Sequence, residues 1–188
     1  MITYPEYARV GDKLYKIDTS FKTAIECQNV AQQDIRDEER ALAIIYLLYG
    51  DEGLDNPDDY QELRDKGVYF LSRGNGVDKN NEDTDMDFEQ DASYIKASFY
   101  TDYGIPNIYD TDMHWWEFID LLTGLKEDCV LNRIREIRIY DTSHIKDPKT
   151  LAKIRKAQAS VALKKKEPEM TEEQIKNYEN FMKQMGMR

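Results

Sequence analysis

Residues 37–49, Asp-Glu-Glu-Arg-Ala-Leu-Ala-Ile-Ile-Tyr-Leu-Leu-Tyr, are the most apolar helical segment of this 188-residue chain. Their apolar side chains recur at three- and four-residue spacing, the pattern of an α-helix. One face carries Ala41, Ile44, Ile45 and Leu48. The apolar surface extends further around the helix through Leu42, Tyr46, Leu47 and Tyr49. A helix that is apolar over most of its circumference belongs in the centre of a bundle. The segment therefore predicts a mostly α-helical, multi-helix bundle, with Gly50 ending the central helix.

Start signals and apolar spacing predict five more helices around this segment. Asp18 or Thr19 is a candidate N-cap for a helix that runs to about Gln33. Asn56-Pro57 combines an N-cap residue with a first-turn proline, which predicts a helix that stops before Gly74. Apolar residues at helical spacing predict three further helices. We expect these at about 87–103, from 111 or 112 to 124, and at 128–140, although residues 137–140 alternate and are also compatible with an extended segment.

Three features interrupt the helical pattern. Residues 7–10 and 14–17 alternate on either side of Gly11-Asp12-Lys13, which predicts a small N-terminal β-hairpin that must pack on another element. Gly67 lies inside the helix that follows Pro57 and is expected to weaken it. Residues 74–85 are polar and predict a loop.

The charge is distributed unevenly along the chain. Residues 145–188 carry 11 Lys and Arg against 6 Asp and Glu, whereas residues 1–144 carry 15 against 31. We therefore divide the chain into an acidic helical domain (1–144) with the hairpin, and a basic helical tail or appendage (145–188) with helices at about 148–165 and 171–185. Such opposite charges favour a tail that binds a partner, binds a second copy or folds back on its own body. A solvated tail without a partner is the alternative.

Composition also bears on several functional classes. The net charge of −11 argues against nucleic-acid binding, which needs a basic surface. No apolar stretch reaches the length of a membrane span, and the N-terminus lacks the pattern of a signal peptide. We therefore expect an intracellular protein without membrane contact. Cys27 and Cys129 form no Cys-x-x-Cys pair and are expected to be buried, reduced thiols.

The sequence offers little support for catalysis or metal binding. Residues 83–87 resemble the start of a calcium-binding EF-hand loop, but Phe88 and Tyr94 stand where that pattern requires Gly and Glu. Two histidines, His114 and His144, are too few for a typical His-based metal site, and no phosphate-binding glycine loop occurs. We expect a protein that is not an enzyme and has no cofactor and no metal site.

The segment His114-Trp115-Trp116-Glu117-Phe118 is the most informative local feature. Adjacent helical residues point about 100° apart, so the two Trp side chains cannot share one narrow core stripe. If Trp115 packs with Phe118, Trp116 faces a second helix or a protein interface; the alternative is that both belong to the core of a central helix. Tyr100 and Tyr103 are similarly ambiguous. The candidate protein-binding residues are Trp115, Trp116, Phe118, Tyr100 and Tyr103.

Several segments, in order, resemble one bacteriophage family. They are residues 15–21, 43–50, 87–91, 97–105, 113–118, 121–125 and 134–138. The specific part is the Trp-Trp-Glu-Phe segment together with the Phe-Tyr-x-x-Tyr-Gly-Ile segment before it. Over roughly residues 4–140 the chain resembles the gene-product-fifteen family of long-tailed phages and prophages of Gram-positive bacteria. Lys22 stands where the family's pattern often has Arg, which keeps the charge but loses bidentate pairing with a carboxylate.

The resemblance implies a function that composition and spacing do not. The family's gene usually lies between those of the tail tube and the tape measure protein, a position typical of tail assembly chaperones. The expectation is therefore a non-catalytic helical protein of the bacterial host's cytoplasm that binds the tape measure protein, tail tube subunits or both during tail assembly. Association of copies through tail-to-body contacts is also expected. The alternative is a minor structural tail or connector component of the virion.

Overall fold

A β-hairpin and seven α-helices make up the described part of the chain, which in this computed structural model comprises residues 3–75 and 85–164. The strands β1 (Tyr7–Val10) and β2 (Lys13–Lys16) are antiparallel, with Tyr7 opposite Lys16. The helices are α1 (Phe21–Ala31), α2 (Asp37–Tyr49), α3 (Tyr60–Leu71), α4 (Ala92–Tyr103), α5 (Trp115–Thr123), α6 (Val130–Ile139) and α7 (Pro148–Val161). Short 3₁₀ turns lie at Asp51–Leu54, Pro57–Asp59 and Ile108–Asp110. The predicted mostly α-helical architecture with an N-terminal hairpin is confirmed.

Helix α2 is less enclosed than its apolar sequence predicts, because Leu42 and Tyr46 are exposed. It packs against α1 on one side and α3 on the other, and Ile45 and Leu48 are buried. Gly50 ends the helix with a φ of 65°, a left-handed value that a side chain would disfavour. Its N–H donates to the carbonyl of Tyr46 at 2.8 Å.

An aromatic stack joins α1, α4 and α5 in the core. The ring of Phe118 lies 4.5 Å from Phe21 and 5.4 Å from Phe99, both nearly parallel to it. The Trp115 ring stacks 5.9 Å away on the same side chain. Offset-stacked rings add to the energy of area burial. Phe118 is thus the point at which three helices meet.

The chain segments that lead into α1 and α5 lie side by side. As a result, both helices begin at N-cap residues other than those that the sequence predicted. The N–H of Phe21 donates to the carbonyl of Met113 at 3.1 Å, and the N–H of Trp115 donates to that of Thr19 at 2.7 Å. Each pairing satisfies a first-turn donor that has no intrahelical partner. The N-caps are Ser20 and His114, so the predictions of Asp18 or Thr19, and of a start near residue 111 or 112, were wrong.

Helix α4 begins later than residue 87, where the spacing predicted it. The side chain of Asp87 instead accepts hydrogen bonds from the N–H groups of Glu89 (3.0 Å) and Gln90 (2.8 Å), which closes a turn. Asp91, at the end of this turn, is buried in an ion pair with Arg138. This tertiary contact favours a turn before the first helical residue, Ala92.

In the C-terminal region, α6 and α7 confirm the helices predicted at about 128–140 and 148–165, although α7 ends at Val161. Residues 137–139 belong to α6, so the extended alternative for residues 137–140 was wrong apart from the cap residue Tyr140. Helix α7 starts after Asp147, whose carboxylate accepts from the Thr150 N–H at 2.8 Å, and it packs on α6. The helix expected at 171–185 and most of the 74–85 loop lie outside the described residues.

None of the helices in residues 3–75 and 85–164 combines the length and hydrophobicity that a membrane span requires.

Gly67 is a close-packing position rather than simply a weak point of α3. A Cβ atom there would lie 2.9 Å from Cδ1 of Leu48, which is fully buried on α2. We expect Gly67→Ala to destabilise the protein by about 1 kcal/mol, because overpacking outweighs the better helix propensity of alanine. Urea denaturation followed by circular dichroism measures this loss.

The Leu48→Val background provides the matched control, because valine lacks the methyl group that would clash. In that background the Gly67→Ala change is expected to be neutral or stabilising. An equal loss in both backgrounds would show that contact with Leu48 is not the reason for glycine at this position.

Candidate protein-binding site

The two indoles of the Trp-Trp segment both hydrogen-bond the C-terminal end of α3. The Nε1–H of Trp115 donates to the carbonyl of Leu71 at 3.0 Å, and that of Trp116 donates to the carbonyl of Phe70 at 2.8 Å. Carbonyls in the last turn of a helix have no intrahelical partner. Two adjacent side chains of α5 that diverge by about 100° can therefore both serve one helix end.

His114 connects this helix end to the N-terminal segment. Its Nδ1 accepts from the N–H of Trp116 at 3.0 Å, so Nε2 carries the proton and donates to the carbonyl of Pro5 at 3.1 Å. Tyr4 stacks on the imidazole at 4.9 Å and donates its hydroxyl hydrogen to Asp120 at 2.9 Å. This hydrogen bond to a carboxylate raises the pKa of Tyr4. The residues before β1 are thereby fixed against α5.

A groove opens on the surface between β1 and α3. It has a volume of about 500 Å³. Its lining residues come from the two ends of the hairpin segment and from one face of the helix: Pro5, Tyr7, Ala8, Arg9, Ile17, Glu62, Asp65, Lys66, Tyr69 and Phe70. We call it the hairpin groove. A volume of this size is typical of sites that accept several apolar groups.

The alternation of β1 and the narrow buried stripe of α3 produce this groove. Ala8 and Val10 point into the core, which turns Tyr7 outward. On α3 the buried residues are Leu63, Gly67 and Phe70, so the helix leaves one whole flank open beside the hairpin. Tyr7 and Tyr69 stand at the groove with exposed fractions of 54% and 56%. Two aromatic side chains are thus available to a partner above an apolar floor.

The Trp-Trp segment supports both walls of the hairpin groove. Phe70, on the α3 wall, is held through its carbonyl by Trp116, and Pro5, on the other wall, is held through its carbonyl by His114. The Tyr69 ring lies 6.3 Å from the ring of Trp116. The rim carries both signs of charge, with Arg9 and Lys66 against Glu62 and Asp65.

Comparison with known proteins identifies the chain's family. A model of the Bacteriophage Gp15 protein family matches residues 6–163. The chain belongs to this family. The match extends past residue 140, where the resemblance noted from individual segments ends, and includes α7 and every residue that lines the hairpin groove except Pro5. Neither a curated protein nor a solved structure matches.

Membership of the Bacteriophage Gp15 family makes this chain a phage structural or morphogenesis protein.

The five residues predicted to bind a partner differ in how far their side chains are exposed. Trp115 and Phe118 have exposed fractions of 2% and 0%, so the structure places them in the core. Trp116 is half-buried against α3. These three residues lie together on α5 and support the α3 wall of the hairpin groove from the side of the core.

The other two predicted residues lie on α4, away from the Trp-Trp segment. The hydroxyl of Tyr103 donates to the carbonyl of Leu121 at 2.7 Å, near the end of α5, which gives it a structural role. Tyr100 is 61% exposed and remains a candidate contact for a partner. The sequence analysis did not identify Tyr7 or Tyr69 as binding residues. The alternating pattern of the hairpin does, however, place Tyr7 on its exposed face.

Both cysteines, Cys27 and Cys129, are buried and free of disulfides. Cys27 is fully buried, and desolvation raises the pKa of its thiol to about 12, which disfavours the reactive thiolate. Cys129 is also buried, and its sulfur accepts the N–H of Asn132 at the start of α6. The prediction of buried, free thiols is confirmed. Within residues 3–75 and 85–164 no cluster of three or more His, Cys, Asp or Glu could hold a metal ion.

Proposed function

We propose that this Gp15 family protein is a non-catalytic tail assembly chaperone whose hairpin groove binds apolar segments of the tape measure protein. The observation that carries the proposal is the groove itself, an open apolar surface flanked by two tyrosines that are more than half exposed. Tyrosine is enriched among the residues that dominate the energy of protein interfaces. Tail tube subunits are the second partner in this proposal.

The shape and chemistry of the hairpin groove suit a segment of a long helical protein. Its floor includes Ile17 and Phe70, and its volume of about 500 Å³ has room for several apolar side chains. An amphipathic helix binds such a groove through apolar residues spaced by three and four positions. The mixed charges of the rim can hydrogen-bond the polar flanks of the same helix. A groove without charge preference also tolerates many successive sequences, as a chaperone of a long chain requires.

Co-expression with fragments of the phage's tape measure protein tests this proposal. We expect a soluble complex that co-purifies, with a mass by light scattering that corresponds to one or more copies per fragment. No complex with any fragment would contradict the chaperone role. If the chain were instead found in purified virions, it would be a minor structural component of the tail or connector.

Tyrosine substitutions locate the binding surface. The Tyr7→Ala/Tyr69→Ala variant is expected to bind the fragment about tenfold or more weakly, because truncating a hot-spot residue costs at least about 2 kcal/mol. Calorimetric titration of the purified proteins measures the change. Circular dichroism of the variant verifies that the fold is retained.

Two single variants serve as matched controls. Tyr46 on α2 and Tyr100 on α4 have exposed fractions of 51% and 61%, similar to those of the groove tyrosines. Tyr46→Ala is expected to bind like the unchanged protein. A loss of binding in Tyr100→Ala, with none in the groove variant, would move the site to α4 and contradict the assignment to the hairpin groove.

A further inference from the structure

A second surface groove lies between α2 and α3, on a different flank of α3 from the hairpin groove. Its floor includes Leu42, Ile45 and Tyr60, its rim carries Asp37, Glu38 and one cation, Arg64, and its volume is about 440 Å³. Leu42 is 37% exposed and stands beside the exposed Tyr46 on the next turn of α2. We call it the α2–α3 groove. Covering an apolar floor of this kind removes it from water, which favours binding of a second surface.

The α2–α3 groove belongs to an acidic part of the chain. Residues 34–65 carry 11 Asp and Glu against 3 Arg. Several of these carboxylates make no salt bridge within the described residues: Asp34, Glu38, Asp51, Asp55, Asp58 and Glu62. The uncompensated negative charge favours a basic partner.

Helix α7 has the opposite chemistry on its outer face. Leu151, Ile154 and Gln158 turn towards the rest of the protein and are partly buried. The outer face is exposed and carries Lys149, Lys153 and Lys156, and Arg155 is exposed on one flank of the helix. These four cations make no salt bridge among residues 3–75 and 85–164.

The basic face of α7 does not neutralise the acidic groove of its own molecule. Hydrogen bonds hold α7 on α6, from Gln158 to the carbonyl of Tyr140 at 2.9 Å and from Arg138 to that of Val161 at 2.6 Å. Helix α6 in turn packs on α4, whereas α2 packs on α1 and α3. With its inner face fixed in this way, α7 presents its cations to solvent.

We propose that the basic outer face of α7 docks into the α2–α3 groove of a second copy of this chain. The aliphatic stems of Lys149 and Lys153 cover the exposed Leu42, while their ammonium groups approach Glu38 and its acidic neighbours. The contact joins two different surfaces, so it is head-to-tail and leaves one free surface of each kind at the ends. Repeated copies form a ring or an open helical array. This interface is separate from the hairpin groove and does not depend on the proposed function.

Analytical ultracentrifugation of the full chain at two salt concentrations tests the proposal. We expect species larger than the monomer at about 0.1 M salt and monomer at about 1 M, because the Debye length shortens from roughly 10 Å to 3 Å. Lys149→Glu/Lys153→Glu and Asp34→Lys/Glu38→Lys are each expected to weaken association about tenfold or more at low salt, because each juxtaposes like charges across the contact. An equimolar mixture of the two variants is expected to associate again, since both new pairings are complementary.

Lys16→Glu/Lys96→Glu is the matched control, because it makes the same change in net charge at two exposed lysines outside both surfaces. It is expected to associate like the unchanged chain. A chain that is monomeric at low salt would overturn the proposal. So would association that survives Lys149→Glu/Lys153→Glu, or that is lost equally in the control. Tape measure binding by the monomeric variants shows separately whether the proposed function holds.

Discussion

Replacing Trp115 with alanine is expected to destabilise the protein by about 3–5 kcal/mol, the range for removing a large aromatic side chain from a core. Trp115 is 2% exposed, stacks on Phe118 and meets the edge of Phe88 at a ring separation of 5.8 Å. Its indole N–H also bonds the carbonyl of Leu71 at 3.0 Å. The change removes both the packing and this helix-end partner. Urea denaturation followed by tryptophan fluorescence and circular dichroism measures the loss.

Two conservative variants separate the packing from the hydrogen bond. Trp115→Phe keeps an aromatic ring but leaves the Leu71 carbonyl without this donor, at an expected cost of about 1–3 kcal/mol. Trp116→Phe should cost less, because Trp116 is only half-buried and the Phe70 carbonyl also accepts from the N–H of Arg73 at 3.2 Å. A loss in Trp115→Ala no larger than that in Trp116→Phe would contradict the assigned role of Trp115 in the core.

Replacing Arg138 with methionine is expected to destabilise the protein by about 3–5 kcal/mol, because it leaves a buried carboxylate without its counter-ion. Asp91 is fully buried, and Arg138 bonds it with two guanidinium nitrogens at 2.7 and 2.6 Å. These hydrogen bonds to Asp91 raise the pKa of the guanidinium, so the arginine remains charged. Arg138 also donates to the carbonyls of Asp85 and Val161, which joins the segment before α4 to the end of α7.

The double variant Asp91→Leu/Arg138→Met tests whether the isolated charge causes this loss. Removing both charges is expected to cost less than Arg138→Met alone, because apolar replacement of a buried ion pair is often close to neutral. Chemical denaturation gives the three free energies of unfolding needed for the comparison. A double variant less stable than Arg138→Met would contradict the explanation. Amide hydrogen exchange in α7 should accelerate in both variants, since both lose the bond to the Val161 carbonyl.

Local sequence determines some elements of this fold and tertiary contacts determine others. The bounds of α2 follow from apolar periodicity and Gly50, because every signal lies within the helix itself. The start of α5 does not, since its first N–H is satisfied by Thr19, almost a hundred residues earlier. The start of α4 similarly depends on Asp91 and its distant partner Arg138. Helix boundaries set by long-range partners are not visible in spacing.

The candidate site was predictable only in part for the same reason. The sequence indicates that Trp115 and Trp116 must face different surroundings, and the structure shows how they do so at one helix end. Their acceptors, Phe70 and Leu71, lie more than forty residues away along the chain. The hairpin groove likewise combines Tyr7 with Tyr69, and no local pattern relates these two positions. The predicted division at residues 144 and 145 stays a prediction.

Photo-crosslinking at position 69 is the most direct test of tape measure binding in the hairpin groove. A photoreactive amino acid in place of Tyr69, with Tyr46 as the control position, would be irradiated in cells that co-express the tape measure protein. We expect a crosslink to the tape measure protein from position 69 and none from position 46. A crosslink from position 46 with none from position 69, or no crosslink from either, would contradict binding in the hairpin groove.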